Sequence, residues 1–163
     1  MSDFFSNVFE VINTVREKVS SCKNSENILQ GFGRRAEGAP TLLSQGLTQA
    51  LTFYLYKVEE LNKFVDVYGW LFKNRKPNID VCKNLADDDE GYLLYTSVLF
   101  YLFEKLGVEC KVEDVHGLKT CLTNISGREA NIYRKLINYV IELKKISKIM
   151  LSEEETKAST QSR

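Results

Sequence analysis

Gly31 to Lys57, GFGRRAEGAPTLLSQGLTQALTFYLYK, decides the fold. Beyond Pro40, the apolar residues Leu43, Leu47, Ala50, Leu51, Tyr54 and Val58 recur every three or four positions, the period of a helix with one buried face. Pro40 suits the first turn of that helix, where a missing N–H costs nothing. Gly46 lies one helical step from Leu42 and from Ala50, so this reading places it inside the helix, where its lack of bulk lets a second helix approach at a propensity cost of about 1 kcal/mol. Upstream, Gly31 and Gly33 break a short helical turn over residues 26–36 and leave Arg34 and Arg35 exposed beside them.

The same period extends in both directions. Phe5, Val8, Phe9, Ile12, Val15 and Val19 form a first stripe that ends in the polar run 20–24. Leu61, Phe64, Val65, Tyr68, Leu71 and Phe72 carry the pattern beyond Val58, as one long helix or as two joined near residues 57–62. Two are favoured, because a rod of more than 30 residues is long for such a domain and Glu59, Glu60 and Asn62 can supply a turn. Residues 74–85, with Pro77, Asn78 and Asp80, read as a linker.

Asp87 with Glu90 three positions later reads as a capping box for the next helix, and negative charge suits a helix N-terminus better than it argues a cation site. That helix, Tyr92 to Leu106, is apolar on nearly all sides through Leu93, Leu94, Tyr95, Val98, Leu99, Phe100, Leu102 and Phe103. It belongs at the centre of a bundle or beneath a partner. A weaker helix covers 113–122. Ser126 then reads as the cap of a closing helix whose core stripe is Ile132, Leu136, Tyr139, Val140, Leu143, Ile146 and Met150. The expected architecture is all-α: a single compact bundle of five or six helices over residues 1–151, followed by a disordered tail over 152–163 whose composition is Ser, Glu, Thr, Lys and Gln.

Composition excludes a strong overall pull toward nucleic acid or anionic membrane, because 22 Lys and Arg balance 22 Asp and Glu. Any RNA contact must be local. The closing helix offers one: between Arg128 and Lys148 there are six basic residues (Arg128, Arg134, Lys135, Lys144, Lys145, Lys148) and two acidic ones (Glu129, Glu142). No apolar run is long enough to span a bilayer and the N-terminus lacks a secretory pattern, so a soluble cytoplasmic protein is expected. The scattered Cys22, Cys82, Cys110 and Cys121 contain no CxxC pair and read as free thiols.

Catalytic patterns are lacking. Cys110, His116 and Cys121 do not match a metal-ligand module, and His116, the single histidine, reads as a helix-end or loop residue rather than a general base flanked by Glu113 and Asp114. Gly31-Phe32-Gly33-Arg34-Arg35 holds only a lone GxG and reads as a flexible basic loop rather than a phosphate cradle. No enzyme activity, metal or cofactor is expected.

The stretch from the basic lead-in through Pro40, Leu42-Leu43, Gln45-Gly46-Leu47, Gln49-Ala50-Leu51 and Phe53 resembles the small helical subunit of type III-B (Cmr) CRISPR effector complexes. Tyr68-Gly69-Trp70-Leu71 and the closing helix with Tyr133, Leu136 and Tyr139 extend the resemblance over about residues 5–150. The Ser44-Gln45 pair before Gly46 departs from the family pattern, and the spacing from Pro40 to Gly46 is one residue short of it. The resemblance implies a non-catalytic subunit in antiviral defence. It would bridge a large Palm-domain subunit and guide-bearing backbone subunits, stack with further copies of itself, and support guide and target RNA through phosphate contacts. The residues expected at RNA are Arg34, Arg35, Lys73, Arg75, Lys76, Lys144, Lys145 and Lys148. The alternatives are a small subunit of another CRISPR effector type, or a helical protein–protein adaptor without nucleic-acid contact. The adaptor draws its motive from the apolar 92–106 helix, which a permanent partner would then cover.

Overall fold

Every element among the described residues is an α-helix. The computed structural model describes residues 2–88 and 90–161, with side chains for 6–88 and 90–150. In chain order the helices are α1 (Ser2–Val19), α2 (Ser25–Ser44), α3 (Leu47–Val58), α4 (Leu61–Phe72), α5 (Val81–Asp87), α6 (Tyr92–Lys105), α7 (Val115–Ser126) and α8 (Glu129–Gln161). Among the described residues no helix is long and apolar enough to cross a membrane. The expected tail over 152–163 falls where side chains lie outside the described residues.

α6 is the axis. Every residue from Tyr92 to Phe103 except Tyr101 is buried. α2, α3, α4 and α8 all pack against it. The chain therefore covers its own most apolar helix, which removes the reason to place a partner there. α2 and α8 form the most extensive helix pair, with α1 packed on both. Because Glu129 at the start of α8 accepts a hydrogen bond from the Thr48 N–H at the start of α3 (2.8 Å), α8 begins where α2 ends and runs back along it. That carboxylate satisfies an orphan donor of α3, whose N-cap, Gly46, has no side chain to do so.

Several boundaries differ from the sequence reading, each for a local reason. Pro40 is not a first-turn residue: α2 runs from Ser25 through Gly31, Gly33 and Pro40 to Ser44, and Pro40 leaves the carbonyl of Ala36 without its helical donor. Gly46 is not inside a helix. It separates α2 from α3 with φ at 142°, and a Cβ there would meet nothing nearer than the Gln49 side chain at 3.5 Å. The close approach occurs at Gly91 instead. With φ at 83°, Gly91 sits on the backbone of α2, and a Cβ there would overlap the Gly31 carbonyl and lie 2.6 Å from the Phe32 nitrogen. What reads as a helix breaker, Gly31, is the bare spot on α2 that receives the start of α6.

The break between α3 and α4 falls at Glu59, whose φ of 74° cannot continue a helix. Part of the 74–85 linker is helical: Asp80 accepts from the Lys83 N–H and starts α5. Asp87 ends α5 rather than capping α6, and it is the Asp88 carboxylate that accepts from the Leu93 N–H. Asp114 caps α7 through the Gly117 N–H at 2.7 Å. Ser126 does not cap α8; its hydroxyl donates back to the Thr123 carbonyl within α7. Among the described residues there are eight helices rather than five or six, α5 being one that the sequence reading places inside a linker. Of the first stripe Val8, Ile12, Val15 and Val19 are buried, Phe9 is 41% exposed, and the side chain of Phe5 lies outside the described residues; Val11, not in that stripe, is buried as well.

The cysteines are not free thiols. Cys22 is bonded to Cys82 and Cys110 to Cys121, with Cα–Cα separations of 5.3 and 4.5 Å. The first bond ties the α1–α2 turn to the first turn of α5. The second holds the loop before α7 onto α7 itself and consumes both sulfurs of the Cys110, His116, Cys121 group. Spacing along the chain does not reveal either pairing, because both depend on which helix ends meet in space.

Candidate nucleic-acid interface

The eight cations expected at RNA divide into those the fold uses and those it leaves outside. Arg75 is structural. Its guanidinium donates to the carbonyls of Val112 (2.6 Å) and Glu113 (3.1 Å), and lies so close over Gly69 that a Cβ at Gly69 would come within 2.7 Å of Nε. Lys73 donates to Glu104 at 2.6 Å, and the other oxygen of that carboxylate accepts from the Tyr68 hydroxyl at 3.0 Å. Burial first, and then the Glu104 charge, hold the Tyr68 phenol far above its ordinary pKa. Lys73, Arg75 and Lys111 thus share a cleft of about 490 Å³ with Glu104, Glu113, Cys110 and Val112, where the charges largely cancel. Only Lys76 of the 73–76 cluster is exposed without such a tether among the described residues.

Arg35 and Arg34 are adjacent in α2 but face different ways. Arg34 is exposed. Arg35 is half-buried, with its guanidinium carbon 4.6 Å from the centroid of the Tyr92 ring and Nη1 donating to the Tyr92 hydroxyl. A cation over an aromatic face is held by the ring quadrupole rather than by an opposite charge, so its positive charge is not neutralised.

The basic side of α8 is left clear. Ile132, Leu136, Val140, Leu143 and Ile146 are buried, and the opposite positions Arg134, Lys135, Lys145 and Lys148 are exposed, with Lys144 half-exposed at the margin. At 1.5 Å per residue, Arg134 to Lys148 spans about 21 Å along the helix. Of the two acidic residues between Arg128 and Lys148, Glu129 is turned to α3 and Glu142 lies 3.3 Å from Lys145, an exposed pair of small energetic worth. The eight expected residues therefore lie on three separate parts of the chain, α2, the segment after α4, and α8, rather than in one patch.

Three further residues escaped the sequence reading. Phe53, Tyr56 and Lys57 lie between the buried positions Leu51, Tyr54 and Val58 of α3, on its outward side. Phe53 is 36% exposed and Tyr56 78%. The Lys57 ammonium lies 5.6 Å from the Phe53 centroid and 5.5 Å from that of Tyr92, so Tyr92 carries both Arg35 and Lys57. The signal was available in the sequence as two aromatics at the wrong phase for the apolar stripe. Beyond Tyr56 and Lys57 lies a groove of about 740 Å³ lined also by Glu59, Lys63, Asp87, Asp88 and Glu90. Among the described residues no group of three or more His, Cys, Asp or Glu is placed to hold a metal ion.

No family model, curated protein or solved structure matches this chain.

Proposed function

We propose that this chain is a non-catalytic helical subunit of an RNA-guided assembly, the role implied by its resemblance to the small subunit of type III-B (Cmr) CRISPR effector complexes. It touches RNA phosphates without reading bases and bridges neighbouring subunits, and cleavage belongs to other chains. The observation that carries this reading is the exposed basic face of α8, where Arg134, Lys135, Lys145 and Lys148 follow one another along about 21 Å with little neutralising charge. With zero net charge the isolated chain binds RNA weakly, and several copies along one backbone add their faces together.

The test is a salt titration of RNA binding with Lys144, Lys145 and Lys148 replaced together by Gln. Affinity is expected to fall alike for unrelated RNA sequences, with the salt slope shallower by roughly one per lost phosphate contact. Unchanged affinity and slope would overturn the RNA contact. Purification from its own cells should recover guide RNA with larger subunits.

A second reading is favoured by the two disulfides. Such bonds persist in oxidising compartments, and in the cytoplasm chiefly of hyperthermophiles. A helical protein–protein adaptor in an oxidising compartment would satisfy them and would leave the α8 face merely solvated. It predicts no RNA in the purified material and no effect of the triple substitution on assembly.

A further inference from the structure

We infer that the outward side of α3, with Arg35 of α2 and Tyr92 of α6, is a stacking site for an unpaired nucleotide of single-stranded RNA. This rests on the RNA-contact reading above and adds to it a place for a base.

Two of the four large apolar side chains exposed among the described residues, Phe53 and Tyr56, lie three positions apart on α3 and therefore on one face. Both are aromatic. Phe53 is fixed rather than loose: it meets Tyr92 edge-on at 5.7 Å and Tyr54 at 6.1 Å, so one side of the ring is braced while the rest reaches solvent. A braced, exposed ring is what a base stacks on, and because every base has a π-face the contact tolerates any sequence.

The charges beside the rings are of the right sign. Arg35 and Lys57 are both held on the Tyr92 ring, and neither forms an ion pair among the described residues. Their placement leaves one cation, Lys57, beside Phe53 and a second, Arg35, on the Tyr92 ring that braces Phe53, where the phosphates flanking a stacked base would lie. The groove that Tyr56 and Lys57 help to line carries Glu59, Asp87, Asp88 and Glu90 against Lys57 and Lys63, a negative balance that turns phosphate away. The strand must therefore run from Lys57 toward Arg35, away from the groove, which gives the site a direction. A duplex cannot use it, since the faces of its bases are already stacked on each other.

The experiment compares three fluorescent probes at low salt: single-stranded oligoadenylate, an abasic ribose-phosphate oligomer of the same length, and an RNA duplex. Phe53→Ala with Tyr56→Ala should weaken oligoadenylate binding by about 5- to 100-fold and leave the abasic oligomer and the duplex unchanged, with Phe53→Trp retaining affinity. Lys57→Gln should weaken both single-stranded probes and lower the salt slope by about one. Circular dichroism confirms that each variant is folded. Equal loss on the abasic probe, or no loss on oligoadenylate, overturns the stacking site. The α8 triple variant separates the two claims: if it alone weakens binding, the stacking site is wrong and the RNA-contact reading stands. If only the α3 variant weakens the base-bearing probe, the stacking site stands and the α8 contact is wrong. If neither does, both fall. Deoxyadenylate bound equally well and equally dependent on Phe53 would overturn selectivity for RNA at this site.

Discussion

α6 and α8 are both long helices, and they solve opposite problems. α6 is enclosed by α2, α3, α4 and α8, so it carries no charge until Glu104 and buries nearly its whole circumference. α8 has one buried side, against α2 and α1, and keeps Arg134, Lys135, Lys145 and Lys148 on the other. The number of neighbours, not helix propensity, sets how wide the apolar stripe must be. The comparison also separates stability from function: changes around α6 should unfold the protein, and changes on the outer face of α8 should leave it folded and alter only what it binds.

The strongest way to break the α6 side is Gly91→Leu. The positive φ and the overlap with Gly31 act together, and no side chain has to give way, only backbone. The expected result is a chain without a cooperative thermal transition by circular dichroism; a Tm near that of the parent would show that α2 and α6 do not meet there. Phe100→Ala, at 0% exposure beside Phe64 and Phe103, should cost about 3–5 kcal/mol in urea denaturation. A loss below about 1 kcal/mol would mean that α6 is not enclosed.

Next comes the tether that leads into α6. Cys22→Ser with Cys82→Ser removes a bond between residues 60 apart and should cost about 4 kcal/mol, and loss of the Cys110–Cys121 bond, 11 apart, about 3 kcal/mol. The order of the two, read from denaturant midpoints with and without reductant, tests the loop argument. Equal midpoints would show that the thiols are not joined.

Alkaline pH should also act through the α6 side. Tyr95 on α6, and Tyr54 and Tyr68 packed nearby, have phenol pKa values raised chiefly by burial above their ordinary 10.0. A raised folded-state pKa means that the unfolded chain loses these protons first. Their contribution is therefore full below about pH 10 and lost as pH rises toward the folded-state values. Absorbance at the phenolate band should show these tyrosines ionising only with unfolding; reversible ionisation in the folded protein would contradict their burial. The smallest effect belongs to α8. Lys145→Ala removes only an exposed pair with Glu142 and should change stability by less than about 0.5 kcal/mol. A larger loss would mean that this face is covered.

Glycines and cysteines show where sequence reasoning stops. The stripe residues Leu43, Leu47, Ala50, Leu51, Tyr54 and Val58 are all buried, as their spacing requires. Yet Gly46, inserted into that same stripe, is a hinge rather than a packing site, because a short break can preserve the phase of the apolar positions on either side. Gly31 reads as a breaker and is instead a contact point, since its role depends on Gly91, sixty positions away. Among the cations, Arg75 and Lys73 cannot be told from Lys76 by composition; only the positions of Val112, Glu113 and Glu104 separate a structural guanidinium and a paired ammonium from a free one.

By itself the sequence determined the helical class, the buried faces of α3, α4, α6 and α8, and the local basic surplus of the closing helix. All of these follow from patterns within one helix, where the period of 3.6 residues fixes which side chains share a face. Tertiary structure alone decided the disulfide pairs, the contact of Gly91 with Gly31, the enclosure of α6 by its own chain, and the gathering of Arg35, Phe53, Lys57 and Tyr92 from three helices. Those depend on which helix faces meet, and that is set by the summed packing of all the helices rather than by any one stretch of the chain.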